Sequence, residues 1–463
     1  MLELIIIVIY FTGMITLGLI SRKKEGGVDE FFVAGRRGST LFITGSLLAT
    51  IIGGSATVGM AGLGFTRGLT GAWWLLAGSI GLVILGIFLA KKVRDMALFT
   101  LPGIVRKQYD RRVSLASSVL IIVAWLGIVA GQILAAGKIM GVLGIGSPAL
   151  WMGLFTLVFV IYTILGGQQA IIRTDTVQSV IIFAGIFGGL ALLLSRVGGF
   201  SGLLENLPQQ QFSFPLSPQF DGYHLVSLLL LVGLTYVVGP DMYSRILCAR
   251  DAGVARKSVF VAALLVIPFA FAITVMGMGA AVLFPQISPE QAFPTVIKEV
   301  FSPLMGGIVL AALLCAVMSS ADTCLLSAGT ILTMDIIKPL LPSLAPEKLI
   351  KISRWSILVL GAGSLAMALL LKGVISALLF AYTIYTGGLI LPVLTGFYKD
   401  QLKVTSNGAL AAVIGGGLTA LASRIWQIKY LDIGSLLISL ILLFIVSFID
   451  NKMRERNPIL DKK

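Results

Sequence analysis

Residues 41–65 read LFITGSLLATIIGGSATVGMAGLGF. The stretch is apolar enough to sit in lipid, yet Gly53-Gly54 stand near its middle with small and hydroxyl residues around them. Glycine tolerates backbone angles that other residues resist, so a helix spanning 40–65 is free to open there. A second run, 224–247, reads HLVSLLLLVGLTYVVGPDMYSRIL and carries Gly233, then Gly239-Pro240. Proline removes a backbone donor and interrupts a helix. Opened backbone at membrane depth is tolerated only where it lines a cavity or is buried in protein. The competing reading is that such glycines only let helices pack closely.

Composition sets the solvent around these runs. Of 463 residues, 57% are apolar and only 12% are charged, and the mean hydropathy is +0.99. Soluble domains are about half apolar and a quarter charged. The balance excludes an ordinary cytosolic enzyme, a disordered chain and a disulfide-stapled secreted fold. A lipid-crossing helix needs about 20 apolar residues, and the chain offers thirteen such runs, at about 3–21, 40–65, 71–92, 114–137, 148–166, 176–196, 224–247, 258–283, 305–333, 352–371, 374–397, 406–424 and 432–450. The expected fold is an all-α polytopic membrane protein.

Thirteen spans put the two termini on opposite sides. Of the 35 Lys and Arg residues, 28 fall in one alternating set of loops and 7 in the other. The positive-inside rule then places the N-terminus outside and the C-terminus in the cytoplasm of a plasma-membrane protein. The excess of basic residues therefore orients the chain and calls for no nucleic-acid partner. The first apolar run precedes Arg22-Lys23-Lys24, whereas a signal peptide carries its charge before the run, so this segment is expected to be retained as a span. Cys248, Cys315 and Cys324 are too scattered for a disulfide framework or a zinc site, and His224 stands alone.

The two interrupted spans each open a group of five, 40–196 and 224–397. An odd number of spans per group inverts the second relative to the first. That is the inverted-repeat plan of many secondary transporters, which bind substrate and ions at their broken helices. Residues 1–39 form an extra helix and loop before this core, and 398–463 two helices and a tail after it.

Residues 311–330, AALLCAVMSSADTCLLSAGT, carry Ala316, Ser319, Ser320, Thr323 and Ser327 on one helical face. Hard cations prefer oxygen ligands, and hydroxyls with carbonyls but no carboxylate make a site weak enough to load and release. Small-residue packing is the alternative. Asp322, deep in the same span, costs at least ~2.5 kcal/mol on insertion scales and so argues for function. Asp175, in ILGGQQAIIRTDTVQS, opens the sixth expected span and can reach the same region or simply cap and snorkel.

Four segments, DEFFVAGRR (29–37), GGQQAIIRTDTVQ (166–178), GPDMYSRILCARD (239–251) and AVMSSADTCLLSAGT (316–330), resemble the sodium:solute symporter family over about residues 3–400. Relatives include proline, pantothenate, sialic-acid and glucose cotransporters. The resemblance implies a LeuT-type core of ten helices over 40–397. It implies a sodium site made of the carbonyls of Ala49, Ile52 and Ala316 and the hydroxyls of Ser319 and Ser320. A second cation site in some relatives maps to Ser319, Asp322, Thr323 and Asp175. Where those relatives have a hydroxyl this chain has Asp322, which leaves sodium, a proton or nothing as the occupant. Substrate contacts map to Gly53, Gly54, Ser55, Ala56, Thr57, Trp73, Trp74, Leu234, Val237 and Val238.

Sugar-binding relatives carry amide and acidic side chains at several of these positions, so Ala56, Trp73 and Leu234 argue against a sugar. Free N–H groups at a half-helix N-terminus suit a carboxylate, which favours a small organic acid or amino acid with an apolar body. Trp73 and Trp74 have a second reading as interface anchors. Gln132 is a further interior polar candidate for the solute or a bridge between helices. The expected function is sodium-coupled symport of a small solute into the cell, with Na+ as the bound ion and the bilayer as surroundings. No obligatory protein partner is evident. A proton-driven version of the same transporter is the nearest alternative. An ion channel or a membrane-embedded enzyme finds less support, for want of a repeated filter or of clustered acid, base and metal ligands.

Overall fold

The computed structural model describes residues 2–22, 27–371, 373–428 and 431–456. Lys23, Lys24, Lys372, Lys429, Lys462 and Lys463, which entered the charge count, lie outside them. Among the described residues the regular structure is helical, with isolated bridges pairing Gly38 with Ala249 and Ser217 with Phe220. Several helices begin where the sequence supplies a capping oxygen. Asp110 accepts from the N–H of Arg112 and Val113 to start Arg111–Met140. Asp251 caps Ala252–Leu283 through Val254, and Thr405 caps Ser406–Ile425 through Gly408.

Ten helices among the described residues are long and apolar enough to cross a membrane, joined by two shorter apolar helices, Leu2–Gly18 and Thr40–Ile51. The expected loop 167–175 is helical. Only its first residue, Gly167, leaves the helix, at φ 55 and ψ −157, angles that suit glycine alone, and it divides Pro148–Val197 into two helices there. A Cβ there would also lie 2.7 Å from the Phe31 ring. Asp175 therefore sits inside a helix and fully buried, not at a snorkelling helix end as one of its sequence readings had it.

Both interrupted spans are broken. Thr40–Ile51 stops at Ile52, which leaves helical geometry at φ −87, ψ 70, and the chain resumes as a wide turn, Ser55–Gly59, then Met60–Arg67. The second span is helical to Val238, extends at Gly239 (φ −59, ψ 130) and restarts as Pro240–Cys248.

The Pro303–Ile331 helix lies at the centre, with almost every residue from Val309 onward buried. It packs against Pro148–Val197, Arg111–Met140, Thr40–Ile51 and the first helix. Small residues let backbones approach, as lipid-embedded packing requires: a Cβ on Gly277 would stand 2.0 Å from the Ala61 carbonyl oxygen. Peripheral helices keep apolar side chains outward, among them Ile441, Ile445 and Phe448 on Leu431–Arg456 and Leu358 and Val359 on Pro346–Leu370. In water such faces would aggregate, whereas hydrocarbon tails solvate them.

Candidate functional site

The break in the first interrupted span is enforced by its neighbours. A Cβ at Gly53 would stand 2.5 Å from Ser320 Oγ, and one at Gly54 would stand 2.5 Å from Ala135 Cβ. The opened N–H of Gly54 donates to Gln132 Oε1 at 2.7 Å, so the helix bond lost at the break is replaced by a side chain from Arg111–Met140. Thr57 Oγ1 donates back to the Gly53 carbonyl at 3.0 Å.

Beside this break the hydroxyl stripe meets the opened backbone. Ser319 Oγ lies 2.8 Å from the Ala49 carbonyl oxygen, 2.8 Å from that of Cys315 and 3.1 Å from that of Ala316. A hydroxyl has one proton to donate, so three carbonyl oxygens compete for it. Ser320 Oγ lies 2.7 Å from the Thr50 carbonyl and 3.2 Å from that of Ala316. Ala49, Ala316, Ser319 and Ser320 are thus brought together. Ile52 lies three residues after Ala49 at the helix end, its N–H bonded to Leu48, while the carbonyl facing Ser320 belongs to Thr50. An oxygen-rich point with surplus acceptors and no carboxylate suits a hard monovalent cation held weakly.

The region below, left open between sodium, a proton and nothing, holds a buried charge of the protein itself. Asp175 Oδ2 accepts from Ser46 Oγ at 2.5 Å and from Arg245 Nη2 at 2.9 Å. Arg245 also donates from Nε to Ser46 Oγ and from Nη1 to Ser244 Oγ, both at 3.0 Å, and from Nη2 to Thr323 Oγ1. The charge that faces Asp175 and Thr323 is therefore the protein's own guanidinium. Arg245 was counted among the loop charges, but it is fully buried. Asp322 Oδ1 accepts from Thr323 Oγ1 at 3.2 Å, while Asp322 Oδ2 and Asp175 Oδ1 have no hydrogen-bond partner. The unmet need of a buried carboxylate for a counter-charge was the signal that could have found Arg245.

A narrow cavity of about 20 Å³ lies between the two broken helices, room for about one water. A solute enters only when the surrounding helices part. Gly53, Ser55, Gln132 and Ser320 line the cavity. Other expected contacts do not border it. Trp73 stacks on Phe214 at 5.4 Å and donates to the Pro215 carbonyl, so the long loop after residue 206 holds it away from the cavity. Trp74 packs on Tyr382 behind the wall. Ala56, Thr57, Val237 and Val238 are buried without lining it, Leu234 and Gly54 are also outside its lining, and Tyr385 takes the Val238 carbonyl. The lining that sequence reasoning missed includes Trp125, Thr235, Tyr236, Asp241 and Tyr382.

The sodium:solute symporter family model matches residues 31–416. The chain belongs to the sodium:solute symporter family. Its coupling ion is Na+ and its cargo a small solute. It is 26% identical to a sodium/glucose cotransporter of Vibrio parahaemolyticus, over 89% of this chain and 83% of that one. It is 27% identical to the sodium/proline symporter of Escherichia coli strain K12, over 90% and 86%. Its fold matches that of a substrate-bound, outward-open Na+-coupled sialic acid symporter at TM-score 0.82 and 19% identity, covering 97% of this chain and 98% of the other. The symporter fold is thus the LeuT-type arrangement that the family resemblance implied, and the protein is a multi-pass membrane transporter.

Proposed function

We propose that this symporter binds its sodium ion among the carbonyls of Ala49, Ile52 and Ala316 and the hydroxyls of Ser319 and Ser320. The observation that carries this reading is the single Ser319 hydroxyl shared by carbonyls of the broken Thr40–Ile51 helix and of Pro303–Ile331. A bound cation would satisfy these oxygens together and tie the two helices to one another. The repeats 40–196 and 224–397 then rock about this point, so that sodium favours the outward-open state and solute closes it. The chain lies in the plasma membrane with its N-terminus outside, and uptake runs into the cell.

The driving force is adequate. A potential of 100 mV supplies ~2.3 kcal/mol per charge, and a tenfold sodium gradient adds about 1.4 kcal/mol. One ion therefore sustains a solute gradient of roughly 500-fold. The solute is a small organic acid or amino acid. We assign no second cation between Asp175 and Thr323, because Arg245 already supplies the positive charge there.

The test is the sodium titration of thermal stability for the purified chain. Ser319→Ala should raise the half-effective sodium concentration at least tenfold while leaving the melting temperature without sodium within a few degrees of wild type. An unchanged sodium titration in Ser319→Ala removes the assignment.

A further inference from the structure

The chemistry of the cavity wall narrows the solute class, on the reading of the chain as a symporter whose solute sits between the broken helices. Asp241 lines the cavity in the first turn of Pro240–Cys248, immediately after the extended Gly239. That turn is where a half-helix concentrates positive potential. Such a terminus suits a solute carboxylate, but this one already holds the protein's own, and a second negative charge beside it is repelled.

Among the described residues Asp241 makes no direct ion pair, although the charge of Arg245 acts on it from one turn along the helix. Arg245, one turn further along the same helix, spends its donors on Ser46, Ser244, Asp175 and Thr323. Carboxylates at this depth are costly unless a positive charge meets them. The rest of the wall suits a cation as well. Trp125, Tyr236 and Tyr382 all border the same cavity, and aromatic faces attract ammonium groups, more strongly when water is excluded. Gln132 and Thr235 add neutral polar atoms, and among the described residues no lysine, arginine or histidine borders the cavity.

We propose that the solute carries a protonated amine, held by the Asp241 carboxylate within the aromatic walls of Trp125, Tyr236 and Tyr382. Of the two solute classes left open, this selects the amino acid, or a simple amine, over an acid that lacks an amino group.

The experiment uses the full chain in lipid nanodiscs, with thermal unfolding followed in sodium and in potassium. The probes are leucine, proline and phenylalanine, the amines of the same skeletons, and the matching acids without the amino group. The expected result is sodium-dependent stabilisation by at least one amine-bearing probe and none by its amine-free partner. Asp241→Asn should raise the half-effective probe concentration by about 30-fold or more, as loss of one partner from a desolvated charge pair does. Asp241→Glu should recover part of that loss. Stabilisation by sodium alone, retained in Asp241→Asn, shows that the variant is folded. An amine-free acid that stabilises as well as its amine partner overturns the proposal, as does an amine-bearing probe whose titration Asp241→Asn leaves unchanged. Failure of the symporter reading shows separately, as probe stabilisation of the wild type that is equal in sodium and in potassium.

Discussion

Arg245 Nη2 lies 2.9 Å from Asp175 Oδ2, and neither side chain has exposed surface. The pair joins the Pro148–Val197 helix to the restarted half of the second broken helix, and Ser46 and Thr323 bring the Thr40–Ile51 and Pro303–Ile331 helices to the same guanidinium. Four elements thus converge on one buried charge, beside the proposed sodium oxygens. Such a pair adds little stability over an apolar substitute, but half of it left alone is expensive.

Arg245→Ala should therefore destabilise the protein by about 3–5 kcal/mol, because it strands Asp175. The double variant Arg245→Ala with Asp175→Asn should recover a good part of that loss. Unfolding of the single and double variants in detergent checks it. Additive losses would show that the two residues do not act as a pair.

Gln132→Ala should cost about 1–3 kcal/mol, since it leaves the buried Gly54 N–H without its acceptor. Gln132→Glu keeps an oxygen toward that N–H but buries an unpaired carboxyl, so it should also destabilise, and less at acidic pH, where the carboxyl is neutral. Thermal unfolding of both variants, alongside solute uptake, separates the stability effect from contact with the solute.

Gly277→Ala pushes a methyl into the Ala61 carbonyl and should destabilise by about 1–3 kcal/mol. Gly153→Ala, in the Pro148–Val197 helix with open space around its Cβ position, should stabilise by about 0.5–1 kcal/mol through helix propensity. A similar melting shift for both would contradict the close crossing at Gly277.

Tyr109, in the turn before Arg111–Met140, donates its hydroxyl to the Pro392 carbonyl at 2.9 Å, and burial pushes its pKa up to about 12. The fold therefore favours the neutral phenol. Its contribution is complete below the ordinary tyrosine pKa near 10 and declines as the pH rises from there to about 12. The loss at the alkaline end should reach ~2 kcal/mol. Tyr109→Phe should flatten that part of the stability profile, measured as melting temperature from neutral to alkaline pH.

Much of the site was legible from local pattern. Gly53-Gly54 and Gly239-Pro240 mark breaks that the structure has, and the spacing of Ala316, Ser319 and Ser320 marks the helical face that meets the first break. These features depend on residues within a turn or two of each other. The expectations that failed to line the cavity, Trp73 and Val237 among them, came from positions whose direction depends on packing. Trp73 follows Phe214 and Pro215, far along the chain, and nothing local shows that.

The amino-acid sequence by itself determined the solvent and the helical class, because transfer into lipid is a sum over each segment's own side chains and a helix closes its hydrogen bonds within itself. It also determined where two helices open, since glycine and proline act on their own backbone. Only the tertiary structure decided which charges meet. Asp175 and Arg245 are 70 positions apart, and Ser319 and Ala49 are 270 apart. Their pairing is set by how helices cross, and no local run of residues encodes a crossing. The same holds for Asp241, a carboxylate unremarkable in sequence that packing turns toward the central cavity while its neighbouring arginine is engaged elsewhere.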